Sequence, residues 1–207
     1  MRYGRRAAAG IHLPQAVHAG PVTLRPWRES DLGALVAACR DPEIIRFTRV
    51  PEHYDAATGR AYIRTRSQAA LEGIAASLAV AATDDEQGLL GSISLFAFSL
   101  RHRRAEVGYW IARPARGQGH ATAALRGICR WAFDATGLER IELRAATLNP
   151  TSQRVAERAG FQREAVLRRA WRGKAGEPMD MVCFGRLAED PGRSSASEGR
   201  SSPPRAR

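Results

Sequence analysis

The sequence predicts an α+β fold, in which helices flank a mostly antiparallel sheet that contains one parallel pair of strands. Three observations carry this prediction. Short apolar runs recur along the chain, and those at 77–81 and 89–95 flank a polar, glycine-containing bend typical of a β-hairpin. Amphipathic helical segments lie between the runs, the clearest at 121–135. A glycine-rich turn joins a strand-like run to that helix, as expected where two strands run parallel.

In the first half of the chain, 22–25 alternates like a first strand, and Ser30 and Asp31 are placed to cap a helix that continues to about Arg40. A longer helix is expected at 55–72, followed by the hairpin.

The second half predicts four more strands, which brings the total to about seven, and two helices. In order these are a strand at 105–111, the helix at 121–135, a strand at 140–147, a short helix that ends at Gly160, and strands at 161–169 and 179–187.

The two ends of the chain differ from its middle. Residues 1–20 lack periodicity, and 189–207 are rich in serine, glycine, proline and arginine, so both are expected to be disordered. One domain is therefore expected at 21–188, and a hydrophobic content of 44% is sufficient for its core.

Composition excludes several classes of protein. The net charge of +11 comes mainly from arginines scattered along the chain, which favours a generally solvated surface over a nucleic-acid footprint. Cys39, Cys129 and Cys183 lie far apart, so neither a disulfide framework nor a metal site is expected. No apolar stretch approaches the roughly 20 residues of a membrane span. We expect a cytoplasmic protein, either monomeric or homodimeric, without metal, disulfide or membrane partner.

The stretch Arg116-Gly117-Gln118-Gly119-His120-Ala121 carries the first chemical information. Glycines let a ligand approach the backbone, and the first helical turn offers unpaired N–H groups to an anion. A nucleoside-triphosphate loop would need Lys-Ser or Lys-Thr after it, and the only lysine is Lys174. For a dinucleotide fingerprint, Thr122 takes the third small position, but no acidic ribose partner is evident. Arg116, Gly119 and Ala121 instead fill the coenzyme A pattern Arg/Gln-x-x-Gly-x-Gly/Ala.

A second signature lies downstream, where Asn149 and Ser152 form Asn-x-x-Ser and Gly160-Phe161 closes the helix. With Glu106-Val-Gly-Tyr-Trp-Ile111 and the glycine loop, it makes the chain resemble the GNAT superfamily of acetyl-CoA-dependent N-acetyltransferases. The match is best to the RimJ/RimL-like branch, which acetylates ribosomal-protein N-termini. The resemblance covers roughly 21–188.

The resemblance implies a GNAT-type fold whose parallel strand pair splays apart to hold the pantetheine arm of acetyl-CoA. The cofactor-binding residues that it implies lie on the strand before the loop, in the loop itself, and at the start of the short helix. They are Tyr109, Trp110, Ile111, Arg116, Gly117, Gln118, Gly119, His120, Ala121, Thr122 and Asn149. For Asn149 a plain turn position before proline stays open.

Acetyl transfer from a thioester requires a base for the amine and stabilisation of the leaving thiolate. Glu106 is the candidate base, and a surface charge or an arginine salt bridge is its alternative. Many GNAT members carry a tyrosine acid at the position of Ala156, so Ser152 is the candidate acid here. Ser152 is equally placed to be a helix N-cap. Trp27, Phe47, Tyr109 and Trp171 could line an acceptor pocket or belong to the core.

The expected activity is acetylation of a primary amine, foremost the α-amine of a protein N-terminus such as that of a ribosomal protein. Two alternatives remain: acetylation of a small amine (an aminoglycoside, polyamine or amino acid), and a GNAT fold that binds coenzyme A or contacts RNA without catalysis.

Overall fold

The computed structural model describes residues 11–85 and 87–191. Within them the chain forms five α-helices and eight strands. The helices are α1 (Leu32–Ala38), α2 (Pro42–Phe47), α3 (Ala56–Leu71), α4 (His120–Thr136) and α5 (Pro150–Arg158). The strands are β1 (Val17–Ala19), β2 (Val22–Arg25), β3 (Ala75–Ala82), β4 (Leu89–Ser99), β5 (Arg104–Ile111), β6 (Arg140–Ala146), β7 (Gln162–Arg172) and β8 (Pro178–Leu187).

The strands form one sheet in the order β1-β2-β3-β4-β5-β6-β8-β7. Every neighbouring pair is antiparallel except β5 and β6, which are parallel. This arrangement confirms the predicted α+β class and its single parallel pair.

Alternation along the strands gives the sheet two different faces. One face is apolar and packs against α4 and α5 in the main core, which includes Leu95, Val107, Leu143 and Phe184. The other face carries polar and charged side chains, among them Arg25, Ser92 and Glu106. Here α1 and α3 cover β3 and β4 around a second, smaller cluster that includes Leu35 and Ile63. The polar face is therefore covered by helices at one side of the sheet.

Helix α4 has the buried stripe that its sequence predicts. Ala124, Leu125, Ile128 and Ala132 are fully buried, and Trp131 is partly buried against the same core. The helix ends at Gly137, which adopts the left-handed conformation typical of a helix C-terminus.

Two expectations about the N-terminal part are wrong. Residues 1–20 are expected to be disordered, but Val17–Ala19 form β1 and Ile11 is buried in the main core; residues 1–10 lie outside the described part. Asp31 occupies the N-cap position of α1, but its side chain makes no capping hydrogen bond to that helix. Its buried carboxylate instead receives two hydrogen bonds from Arg25, at 2.7 and 2.9 Å, because a buried guanidinium needs a paired charge. The expected disordered tail falls mostly on 192–207, which also lie outside the described part.

No helix in the described ranges is long and apolar enough to cross a lipid bilayer.

Candidate active site

The two parallel strands separate at their carboxyl ends. The pairing of β5 with β6 begins at Arg104 opposite Arg140 and stops at Val107 opposite Leu143. Beyond that point β5 remains paired with β4, and β6 with β8, but no longer with each other. We call the gap between residues 108–111 of β5 and 144–146 of β6 the notch. It is the splay that the sequence resemblance implies.

One hydrogen bond crosses from β5 to the start of α5. The phenol oxygen of Tyr109 lies 3.0 Å from Ser152 Oγ. Burial raises the pKa of Tyr109 to about 12, with the hydrogen bond to Ser152 opposing the shift, so the phenol stays protonated at neutral pH. The sequence did not indicate this pairing, although a buried tyrosine hydroxyl needs a polar partner.

Asn149, and not Ser152, is the N-cap of α5. Its side-chain Oδ1 accepts a hydrogen bond from the Ser152 N–H at 3.0 Å. The interpretation of Ser152 as the cap is therefore wrong, because Ser152 sits at the third helical position, where its hydroxyl points to Tyr109. Gln153 fixes the same helix start to the end of β6 by donating to the Ala146 and Thr147 carbonyls.

The glycine loop has the backbone that its sequence predicts. Gly117 and Gly119 have φ of +80° and +82°, in the left-handed region that favours glycine, and the space where a Cβ would lie is open at both. Ala123 N–H bonds to Gly119 O at 3.0 Å, so the N–H groups of His120, Ala121 and Thr122 before it have no acceptor within the helix. These features fit a phosphate-bearing ligand.

Side chains of the loop hold it in place. His120 Nδ1 lies 3.1 Å from the Ala115 carbonyl, and Gln118 donates to the Pro114 carbonyl at 3.2 Å. Arg116 donates to the Ile111 carbonyl at the end of β5 and forms ion pairs with two acidic residues at the start of α2, Asp41 at 3.0 Å and Glu43 at 2.8 Å. The Arg116 guanidinium thus binds protein groups and connects the loop to the notch.

Trp110 and Ile111 present backbone to the notch while their side chains pack elsewhere. Trp110 lies against the α1–α3 cluster, and Ile111 is buried in the main core. Trp27 packs edge-on against Tyr62 in that α1–α3 cluster, with ring centroids 5.4 Å apart. Ala156, at the position where many relatives carry a tyrosine, is fully buried in the main core.

Glu106 lies on the polar face at the base of the notch. Its side chain is 17% exposed, and the nearest cation is Arg144, whose Nε is 3.6 Å from Glu106 Oε2. Burial raises the pKa of Glu106, and the negative charge of Glu142 raises it further. The positive charges of Arg144 and Arg49 lower the pKa, but the net shift is upward. A carboxylate with a raised pKa is a better proton acceptor than an ordinary surface glutamate.

Glu142, directly opposite Glu106 in the parallel ladder, has a different environment. It accepts hydrogen bonds from Arg104 at 2.8 Å and Arg140 at 3.0 Å. Although burial acts to raise its pKa, these arginines lower it overall. Of these two paired carboxylates, Glu106 is therefore the one suited to accept a proton.

Sequence reasoning missed an arginine whose charge acts on Glu106. Arg49, between α2 and α3, has its guanidinium carbon 5.1 Å from the ring centroid of Phe96 and 5.7 Å from that of Trp171. Phe96 pairs with Glu106 across β4 and β5, so both side chains point to the same face. Phe96, Trp171 and Glu106 are distant in sequence, and only the sheet brings them together.

The fold and site are those of an acyltransferase that uses a coenzyme A thioester. The features are a mixed sheet with one splayed parallel pair, a glycine loop at the notch and a carboxylate at the base of the notch. The profile described as "Acetyltransferase (GNAT) domain" matches residues 22–162. The chain belongs to this family.

Three known proteins illustrate the relationship. "Putative ribosomal N-acetyltransferase YdaF" of Bacillus subtilis (strain 168) is 40% identical over 103 residues, which are 50% of this chain and 54% of that protein. The ribosomal-protein-serine acetyltransferase of Escherichia coli (strain K12) is 33% identical over 85 residues, 41% of this chain and 48% of the relative. The structure of Mycobacterium smegmatis RimJ in complex with CoA-disulfide has a TM-score of 0.74 at 25% identity, covering 84% of this chain and 85% of that one.

In these two sequence comparisons the chain spans about half the length of the curated relative. The solved structure extends the likeness over most of the chain and supports the predicted fold.

Proposed function

We propose that this protein transfers the acetyl group of acetyl-CoA to the α-amine of a protein N-terminus, with a ribosomal protein as the model acceptor. The observation that carries the proposal is the position of Glu106: a poorly exposed carboxylate, without a hydrogen-bonded cation, at the base of a notch bordered by an anion-binding loop. The E. coli relative is named for acetylating a ribosomal protein, and RimJ was solved with a coenzyme A derivative.

The two faces of the sheet separate donor from acceptor. Tyr109 belongs to the apolar face with α4 and α5, while Glu106 belongs to the polar face, because the two positions differ by an odd number along β5. The notch is the opening that connects them. Acetyl-CoA would lie on the α4–α5 side with its phosphates at the loop, and the amine would approach from the Glu106 side.

The loop residues hold the cofactor in this proposal. The N–H groups of His120, Ala121 and Thr122 face the diphosphate, with Gly117, Gln118 and Gly119 forming the turn and Arg116 fixing its position. The backbone of Tyr109, Trp110 and Ile111 borders the pantetheine arm, and Asn149 holds the α5 end of the notch. Acetyl-CoA supplies an already activated acyl group, so no covalent enzyme intermediate is needed.

Glu106 and Ser152 divide the proton transfers. The amine nitrogen bonds to the acetyl carbon as the carbon–sulfur bond breaks, and Glu106 takes the amine proton, directly or through a water. Ser152 donates a hydrogen bond to the leaving sulfur, or passes it a proton that the Tyr109 phenol replaces and solvent then restores. The protonated phenol of Tyr109 supports Ser152 by sharing a hydrogen bond with it.

The choice of an α-amine follows from acidity. An α-amino group has a pKa near ~8, whereas that of a lysine side chain is near ~10.4. About a tenth of the α-amine is neutral at pH 7, more than a hundredfold the neutral fraction of a lysine. A carboxylate of raised pKa is sufficient for the α-amine.

The test measures coenzyme A release with peptides that begin with serine or alanine, and locates the acetyl group by mass spectrometry. We expect acetylation at the N-terminus. The control uses the same peptides with the α-amine formylated and an internal lysine present. Acetyl-CoA binding without release on any α-amine would instead identify a non-catalytic coenzyme A binder. Acetylation confined to polyamines or aminoglycosides would also contradict the proposal.

A further inference from the structure

The acceptor side of the site contains an arginine held by two aromatic rings. The Arg49 guanidinium lies within cation–π distance of both Phe96, on β4, and Trp171, on β7. These contacts connect the α2–α3 segment with the outer hairpin across the face that carries Glu106. Contact with two rings restrains the position of the guanidinium without using its N–H donors.

Those N–H groups have no acceptor among the residues that the structure describes: Arg49 forms neither a hydrogen bond nor an ion pair there. Other arginines in this region are engaged, since Arg104 and Arg140 bind Glu142, and Arg116 binds Asp41 and Glu43. Arg49 is therefore a positioned cation with its donors available.

Arg144 adds a second cation on the same face. It lies opposite Cys183 in the sheet and approaches Glu106 only at 3.6 Å, longer than a hydrogen bond, with its side chain 43% exposed. Since Glu142 on this face is already paired with Arg104 and Arg140, the charges of Arg49 and Arg144 remain against the single carboxylate of Glu106. When Glu106 is ionised, this small area keeps an excess positive charge.

Resting on the proposed function, we propose that Arg49 and Arg144 select acceptors that carry a carboxylate near the reactive α-amine: protein N-termini with Asp or Glu among the first three residues. A guanidinium fork matches a carboxylate with two parallel N–H···O bonds. The acceptor's carboxylate would balance the excess charge and hold the amine next to Glu106. Both arginines are specificity-determining residues in this account, and neither takes part in proton transfer.

The test compares matched peptides that differ only by Asp or Asn, or Glu or Gln, at position two or three. For the wild-type protein we expect the acidic peptide to have the higher kcat/KM by roughly tenfold or more, mainly through a lower KM. The preference should weaken at high salt, because the carboxylate–guanidinium attraction is screened at an exposed site.

Three variants test whether Arg49 causes the preference for acidic peptides. Arg49→Gln should reduce the acidic-to-amide ratio several-fold, leaving the part due to Arg144, and Arg49→Lys should retain more of it, since it keeps the charge but loses the planar fork. Arg130→Gln removes the same charge from α4, on the opposite side of the sheet, and should leave the ratio unchanged. Thermal unfolding and acetyl-CoA affinity of each variant check that the fold and the donor site are intact.

The outcomes separate this inference from the proposed function. Equal acetylation of acidic and amide peptides by the wild-type protein overturns the inference and leaves the function standing, without reliance on any variant. An acidic preference that is undiminished in Arg49→Gln overturns the role of Arg49. Acetylation of free amino acids but of no peptide would contradict the proposed function. It would also contradict the inference that the selected carboxylate belongs to an Asp or Glu near a protein N-terminus.

Discussion

The Tyr109 hydroxyl and Ser152 Oγ, 3.0 Å apart, connect β5 to the first turn of α5 next to the point where the parallel strands separate. Neither side chain is a free surface group, since Tyr109 and Ser152 are both partly buried. In the proposed mechanism this contact orients Ser152 toward the leaving thiolate. Under the same proposal, Ser152 takes the role of the tyrosine that many relatives carry at the position of Ala156.

Replacing Ser152 by Ala should lower kcat by roughly 10²-fold or more with little change in the KM for acetyl-CoA, because the acid acts on the leaving group and not on cofactor binding. Tyr109→Phe should have a smaller effect of about 1 kcal/mol, roughly fivefold in kcat, since it removes one supporting hydrogen bond. Steady-state kinetics with a serine-initiated peptide measure both. A larger effect of Tyr109→Phe than of Ser152→Ala would make Tyr109 the acid.

The pH dependence of kcat/KM should report the carboxylate of Glu106. Its pKa is raised by burial, and the active form is deprotonated, so activity is present above that pKa and is lost as the pH falls through it. Glu106→Gln should lower the rate and remove the acidic limb of the pH–rate curve, which is the fall of kcat/KM at low pH. An unchanged pH–rate curve would exclude Glu106 as the base.

Charged neighbours should move the acidic limb in opposite directions. Arg144, together with Arg49, lowers the pKa of Glu106 against the effect of burial, so Arg144→Gln should shift the limb to higher pH. Glu142 raises that pKa, so Glu142→Gln should shift the limb to lower pH. These three charged groups are the ones that act on Glu106 from β6 and the α2–α3 segment. Shifts of the same sign in both variants would contradict the electrostatic account.

The buried pair of Arg25 and Asp31 is expected to dominate the charge contribution to folding stability. Both side chains are at most 1% exposed, and Asp31 also accepts a hydrogen bond from the Arg28 N–H at 2.8 Å. Asp31→Ala should lower the free energy of unfolding by about 3–5 kcal/mol, because a buried guanidinium loses its carboxylate. The exposed pair of Arg103 and Glu139 is the control, and Glu139→Ala should cost about 1 kcal/mol or less. Urea unfolding followed by circular dichroism measures both; equal losses would contradict the ranking.

Sequence periodicity predicted much of the fold because it depends on local patterns. The stripe through Leu125 and Ile128 and the left-handed glycines of the loop follow from short-range rules. Strand β1 was missed because three residues are too few for alternation to appear, and they are held by pairing with β2.

The site was less predictable, since it depends on sheet register. The proximity of Arg49 to Phe96 and Trp171 joins three segments that no sequence window contains together. Likewise, the sequence predicts Asp31 as a helix cap, whereas in the fold its carboxylate pairs with Arg25. The sequence placed Glu106 on the strand before the loop, and its role as base stays a prediction; its neighbours Arg144, Arg49 and Glu142 became visible only in the structure.

The measurement that tests the account most directly is titration calorimetry of acetyl-CoA into the wild-type protein, Gly119→Glu and Gly176→Glu. Both glycines have φ of +82° with open space at the Cβ position, so the two substitutions impose similar backbone strain, but Gly176 lies in the turn between β7 and β8. We predict binding to the wild-type protein and to Gly176→Glu, and none to Gly119→Glu, where a carboxylate would enter the phosphate position. Undiminished binding to Gly119→Glu, or no binding to the wild-type protein, would contradict the account.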